Sequence, residues 1–183
     1  MLNASRIERW FRAGQFDQML DGLSRNGGML PLGLRVRLSD QPDAVVGLAL
    51  RRVVELAWGP TPIAEQLAGW LLGRQQEDGS WAGDPAATAA VVAALGQLQA
   101  RPETQADPTL EMRIGHARFR GLAALAQMQT EDGLFWCEAD LHDAQRGLVA
   151  AFVLRELADD DEFRQLVRWA DLLDWFESRS HRL

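Results

Sequence analysis

The sequence predicts an all-α protein made of stacked helix hairpins, with one extended segment near residues 30–38. Three observations carry this prediction. The phrase Gln75-Gln76-Glu77-Asp78-Gly79-Ser80-Trp81 returns as Gln129-Thr130-Glu131-Asp132-Gly133-Leu134-Phe135, with Asp78 and Asp132 54 positions apart. Each copy ends a stretch of helical periodicity, supplies an Asp-Gly turn and leads into a second apolar stretch, so the unit reads as helix, turn, helix. Stretches that are apolar on one side alternate with stretches that are apolar all round, as outer and inner helices of two layers would. A lone hairpin cannot bury its apolar face, and neighbouring units must stack.

From Ser5 to Leu23, Ile7, Trp10, Phe11, Met19, Leu20 and Leu23 recur at helical spacing until Asn26-Gly27-Gly28. Leu30, Leu32, Leu34, Val36 and Leu38 then alternate with Pro31, Gly33, Arg35 and Arg37, which is the period of an extended segment. A helix from Asp43 to Trp58 completes a degenerate first unit over residues 5–58. Thr61 and Pro62 start a helix with Ile63, Leu67, Trp70 and Leu71 on one stripe. Asp84 caps a helix opened by Pro85 that is apolar nearly all round, closing a unit over residues 61–100. Arg101 to Pro108 reads as a polar loop. The next unit, residues 109–158, pairs a one-sided helix (Leu110, Ile114, Ala117, Gly121, Leu125, Met128) with an all-round apolar one over Leu148–Leu154. Asp159-Asp160-Asp161 leads into a capping helix over residues 162–178 with Phe163, Val167, Ala170, Leu173 and Phe176 inward. The whole chain, residues 1–183, is expected to be a single domain.

Composition removes several function classes. All positive charge is arginine, since lysine and tyrosine are both missing, so a lysine Schiff base, a phosphate-loop lysine and a tyrosine acid are excluded. A net charge of -7 opposes nucleic-acid binding, which depends on a basic surface releasing counterions. Cys137 is the only cysteine and cannot close an internal disulfide. The first ten residues carry charge without an apolar core, and no window approaches a membrane span, so a cytoplasmic location is expected.

Gln-x-x-Asp-Gly-Ser-Trp after an outer helix, followed by an Asp-x-x-x-Thr-Ala helix start, resembles the QW repeat of squalene and hopene cyclases and of protein prenyltransferase β subunits, the α/α toroids. Residues Trp70 to Leu95 carry the resemblance, and Leu122 to Leu154 carry a weaker form with Phe135 in place of tryptophan. It implies a partial toroid, an arc, in which Gln75, Asp78, Gly79 and Trp81, then Gln129, Asp132, Gly133 and Phe135, are structural residues. The family's chemistry is not carried over. Its protonating cyclases have Asp-x-Asp-Asp-Thr-Ala where this chain has Asp84-Pro85-Ala86-Ala87-Thr88-Ala89, and a methyl group cannot donate a proton. The Asp-x-Cys pair that holds zinc in the prenyltransferases, and the Gly-Cys-Gly-Glu-Gln phrase of the related thioester domains, are missing as well.

The richest polar cluster is Cys137-Glu138-Ala139-Asp140-Leu141-His142-Asp143, on an edge that borders the central cavity in such toroids. Asp140, His142 and Asp143 are the candidates for acid, base or metal groups, although acids at a helix start also serve as caps and the spacing fits no zinc pattern. Asp84, Thr88, Trp136 and Glu138 are the candidate ligand-binding residues, Trp136 as a partly exposed aromatic that lines a groove. The expectation is a non-catalytic repeat protein, without metal or cofactor, whose concave face binds an apolar, isoprenoid-like small molecule or a protein partner. A terpenoid-processing enzyme and a homo-oligomeric assembly module are the alternatives. A homodimer is expected from the unpaired segment around Leu34, which could pair with a second copy.

Overall fold

A computed structural model describes residues 42–56, 62–136 and 143–180. The expected helix near residues 5–24 and the extended segment at residues 30–38 lie outside these, as does the dimer contact expected of that segment. The described residues are all-α. Their only β-type pairing is a single bridge between Gln129 and Phe135.

The helices are α1 (Pro42–Glu55), α2 (Pro62–Leu72), α3 (Pro85–Gln99), α4 (Pro102–Gln105), α5 (Pro108–Met128), α6 (Asp143–Leu157), α7 (Asp161–Leu166) and α8 (Trp169–Ser180). Proline stands at the first position of α1 to α5, where its missing N–H costs nothing and its fixed φ already suits a helix. Asp84, Asp107 and Asp160 cap α3, α5 and α7, their carboxylates accepting backbone N–H groups of Ala87, of Thr109 and Leu110, and of Phe163.

α3 is the centre of the packing. It contains no charged residue, and α1, α5 and α6 all pack on it. Its residues from Pro85 to Leu95 are buried without interruption, as all-round apolarity requires. α1 can approach closely because Gly47 faces the α3 backbone: a Cβ there would lie 3.1 Å from the Val91 nitrogen. Behind this row, α2 and α5 pack on each other and turn Glu65, Gln66, Met112 and Arg113 to solvent.

Three expectations need correction. Arg101 to Pro108 is not simply a loop, because Pro102 starts the four-residue helix α4 and Thr104 is buried. α6 is not buried all round: Leu148 is 37 % exposed and Ala151 is exposed, since among the described helices only α3 packs extensively on it. The acidic run opens two helices instead of one, for the chain is extended at Val167 between α7 and α8. That break moves the apolar register, so Leu172 is the buried residue while Leu173 and Ala170 face outward.

Candidate functional site

The two repeated phrases form loops of the same construction. Gly79 and Gly133 sit at φ +90° and +82°, a region glycine enters without steric cost. In the first loop Gly79 N–H donates to the Gln76 carbonyl at 3.0 Å and Ser80 N–H to Asp78 Oδ1 at 2.8 Å. In the second, Gly133 N–H donates to the Thr130 carbonyl at 2.9 Å and Leu134 N–H to Asp132 Oδ1 at 3.3 Å. Trp81 and Phe135 follow, both fully buried. The indole N–H of Trp81 donates to the Leu71 carbonyl at 2.8 Å, closing the open C-terminal end of α2.

Gln75 ties its loop to α5, and Gln129 ties its loop to Arg168 just before α8. Gln75 Nε2 donates to the Gly79 carbonyl at 2.9 Å and to the Ala117 carbonyl of α5 at 2.8 Å. Gln129 Nε2 donates to the Gly133 carbonyl at 2.8 Å and to the Arg168 carbonyl at 3.2 Å, and its Oε1 accepts the Arg168 N–H at 2.6 Å. The glycines make this approach possible. A Cβ on Gly79 would lie 2.5 Å from the Arg120 carbonyl oxygen, and one on Gly133 would lie 2.5 Å from the Asp171 carbonyl carbon. In return Arg120 of α5 donates to the Gln76 and Glu77 carbonyls of the first loop, and Arg168 to the Thr130 carbonyl of the second.

The second loop carries an additional latch. Arg146 of α6 reaches Thr130 Oγ1 at 2.9 Å and both Asp132 oxygens at 3.0 Å. Burial alone would raise the Asp132 carboxyl, but hydrogen bonds from Thr130, Arg146 and the Leu134 N–H, with the Arg146 charge, outweigh it and hold it below the usual carboxylate range.

Asp84 and Thr88, expected at a ligand site, are buried at the start of α3. Asp84 accepts the Ala87 N–H at 2.9 Å, while Thr88 Oγ1 accepts the Trp81 N–H at 3.1 Å and donates to the Asp84 carbonyl at 2.8 Å. Trp136 is 52 % exposed, held by its N–H on the Met128 carbonyl. Glu138, Asp140 and His142 lie outside the described residues, and Asp143 opens α6 without its side chain being described. Among the described residues no three His, Cys, Asp or Glu side chains gather in a way that could hold a metal ion.

A feature that sequence reasoning missed lies at the opposite end of α3. An open groove of about 640 Å³ runs between the ends of α3 and α6, α5 and the start of α7. Six of its fourteen lining residues are acidic, Glu111, Glu156, Asp159, Asp160, Asp161 and Glu162, the Glu156 side chain being buried. Arg118 crosses it, binding Asp160 and, at 2.9 Å, Glu162, so that α7 is tied to α5. The acidic run was visible in the sequence as a helix cap, which Asp160 is; its convergence with Glu111 and Glu156 needs the packing. Comparison with protein-family models, with characterised proteins and with solved structures returned no match.

Proposed function

We propose that the chain is a non-catalytic α/α-repeat scaffold, an arc of stacked hairpins, that binds a protein partner of basic character in the groove at the C-terminal end of α3. The observation behind this reading is how the polar groups are used. The glutamine and aspartate of each repeated phrase bond backbone carbonyls and N–H groups, which suits a scaffold, whereas the groove, apart from the buried Glu156, presents carboxylates toward solvent. Two of them, Glu111 and Asp159, have no ion-pair partner among the described residues. Desolvating such a lining against an apolar isoprenoid is costly, while arginine-rich chain answers it with charge-assisted hydrogen bonds. Asp84 and Thr88 belong to the scaffold in this reading, and fold resemblance alone does not assign a substrate.

Calorimetric titration tests this directly, with an arginine-rich peptide, farnesol and farnesyl diphosphate as three separate probes. The peptide is expected to bind in low salt, with affinity lost in the variant Glu111→Arg. Binding of farnesol without the peptide would replace this reading by an apolar-ligand one, and turnover of farnesyl diphosphate or squalene would return the chain to the enzymes.

A further inference from the structure

Two fields of opposite charge meet at one residue at this end of the molecule. Arg51 and Arg52 lie toward the C-terminal end of α1, and Arg155 lies in the last turn of α6. The three are strung through two glutamates. Arg51 bonds Glu55 at 3.0 Å and also Glu156, Arg52 bonds Glu55 at 3.1 Å, and Arg155 bonds Glu156 at 2.7 Å. Arg101, just past α3, donates to the Val54 carbonyl. Four guanidinium groups therefore stand against two carboxylates, and that of Glu156 is fully buried beneath them. Cations at helix C-termini answer the helix dipole, which accounts for Arg101 on its carbonyl. It leaves a positive surplus toward solvent, most of all on Arg155, whose side chain is 51 % exposed and lies over the Phe152 ring at 4.9 Å.

Glu156 also lines the acidic groove, so the positive chain and the negative groove adjoin. In the groove Arg118 serves Asp160 and Glu162, and Arg164 serves Asp161, leaving Glu111 and Asp159 without an ion-pair partner among the described residues. We propose that this end is a self-complementary docking surface, on which the arginine chain of one copy seats in the acidic groove of a second copy of this chain. The proposal rests on the scaffold reading above and names the basic partner it requires. A two-fold contact is isologous: residue i meets j, and j meets i. Such a contact needs both charges on one face, and their meeting at Glu156 supplies that. The net charge of -7 makes two copies repel at a distance, but that repulsion is screened beyond about 8 Å at physiological salt, whereas paired side chains in contact are screened much less. Electrostatic complementarity of this kind fixes register and partner more than it adds raw affinity.

The test uses the full chain and two charge reversals, Arg155→Glu and Glu111→Arg, each checked for native helicity by circular dichroism. Light scattering across a dilution series at physiological salt should give dimers for the unmodified chain, and each variant alone should dissociate at least about tenfold more readily, since like charges brought together are strongly disfavoured. Mixing the two variants in equal amounts should restore dimers, because reversed groove then meets reversed arginine and the second contact keeps its native charges. A monomer at all concentrations for the unmodified chain, a dimer unaffected by either reversal, or a mixture that stays monomeric would each overturn the proposal. An arginine-rich peptide that binds a monomeric unmodified chain would leave the scaffold reading in place and remove the second copy as its partner.

Discussion

Replacing Gly79 by alanine should be among the most damaging single-methyl changes this chain can suffer, and the loss can be worked out from its parts. At φ +90° an L-residue is strained by about 1–2 kcal/mol. The new Cβ would also lie 2.5 Å from the Arg120 carbonyl oxygen and 2.9 Å from its carbon, both backbone atoms of α5 that no rotamer change can move. The loop must therefore retreat from α5, and the Gln75 bond to the Ala117 carbonyl, at 2.8 Å, goes with it, for about 1 kcal/mol more. A total loss of about 3 kcal/mol is expected. Two other glycines separate the components. Gly83 has φ +61° but meets only the flexible end of Gln76, 3.9 Å away, so Gly83→Ala should show the backbone strain alone, about 1 kcal/mol. Gly69 lies inside α2 with nothing within 4 Å, and Gly69→Ala should stabilise by roughly 0.5–1 kcal/mol through helix propensity. Urea denaturation followed by circular dichroism measures all three. If Gly79→Ala costs no more than Gly83→Ala, the close docking of the loop on α5 is wrong, and the repeated phrase no longer serves to tie its loop to that helix.

Two further outcomes follow from the same geometry. Asp84→Ala should cost about 1 kcal/mol by removing the cap of α3 while leaving binding of an arginine-rich peptide unchanged, because Asp84 is buried at the other end of that helix; loss of peptide affinity at unchanged stability would contradict this. Asp132 has a depressed folded-state carboxyl, so its contribution is fully present above the unfolded-state value near 3.8 and fades as pH falls through the lower folded-state value. With 43 % of its side chain exposed the contribution is limited to about 0.5 kcal/mol, and Asp132→Asn should flatten stability against pH by that much in the acid range; an unchanged acid profile would show that the Arg146 latch contributes nothing.

How much was legible in the sequence depends on the range of the interactions concerned. The positive φ of Gly79 and Gly133, the Asp84 cap and the burial of Trp81 and Phe135 follow from local rules, and the repeated phrase displays them twice. The phrase does not say what the glutamine holds, because Ala117 and Arg168 lie 42 and 39 residues further on and nothing in their own residue types marks them as acceptors. Periodicity failed where a neighbour decides burial. Leu148 and Ala151 satisfy an all-round apolar pattern just as Val91 and Ala94 do, but α3 has helices on three sides and α6 does not. A register read across residues 162–178 failed at Val167, since one extended residue resets every later position and puts Leu172 where Leu173 was expected.

The groove was hidden for a related reason. Four of its six acids have a sufficient local explanation: Glu111 sits in the first turn of α5, Asp160 caps α7, and Asp161 and Glu162 favour the start of a helix. Only the stacking of α5 and α6 against α3 brings these separately explained charges to one wall, where the cost of holding them together falls to Arg118 and, in the proposed docking, to the arginines of a second copy. Arg118 is the residue that distinguishes the two. Its terminal nitrogens hold α7 and its Nε is buried without a hydrogen-bond partner among the described residues, so it is already spent inside the fold; Glu111 and Asp159, which have no ion-pair partner among those residues, are the charges that the proposed docking would answer.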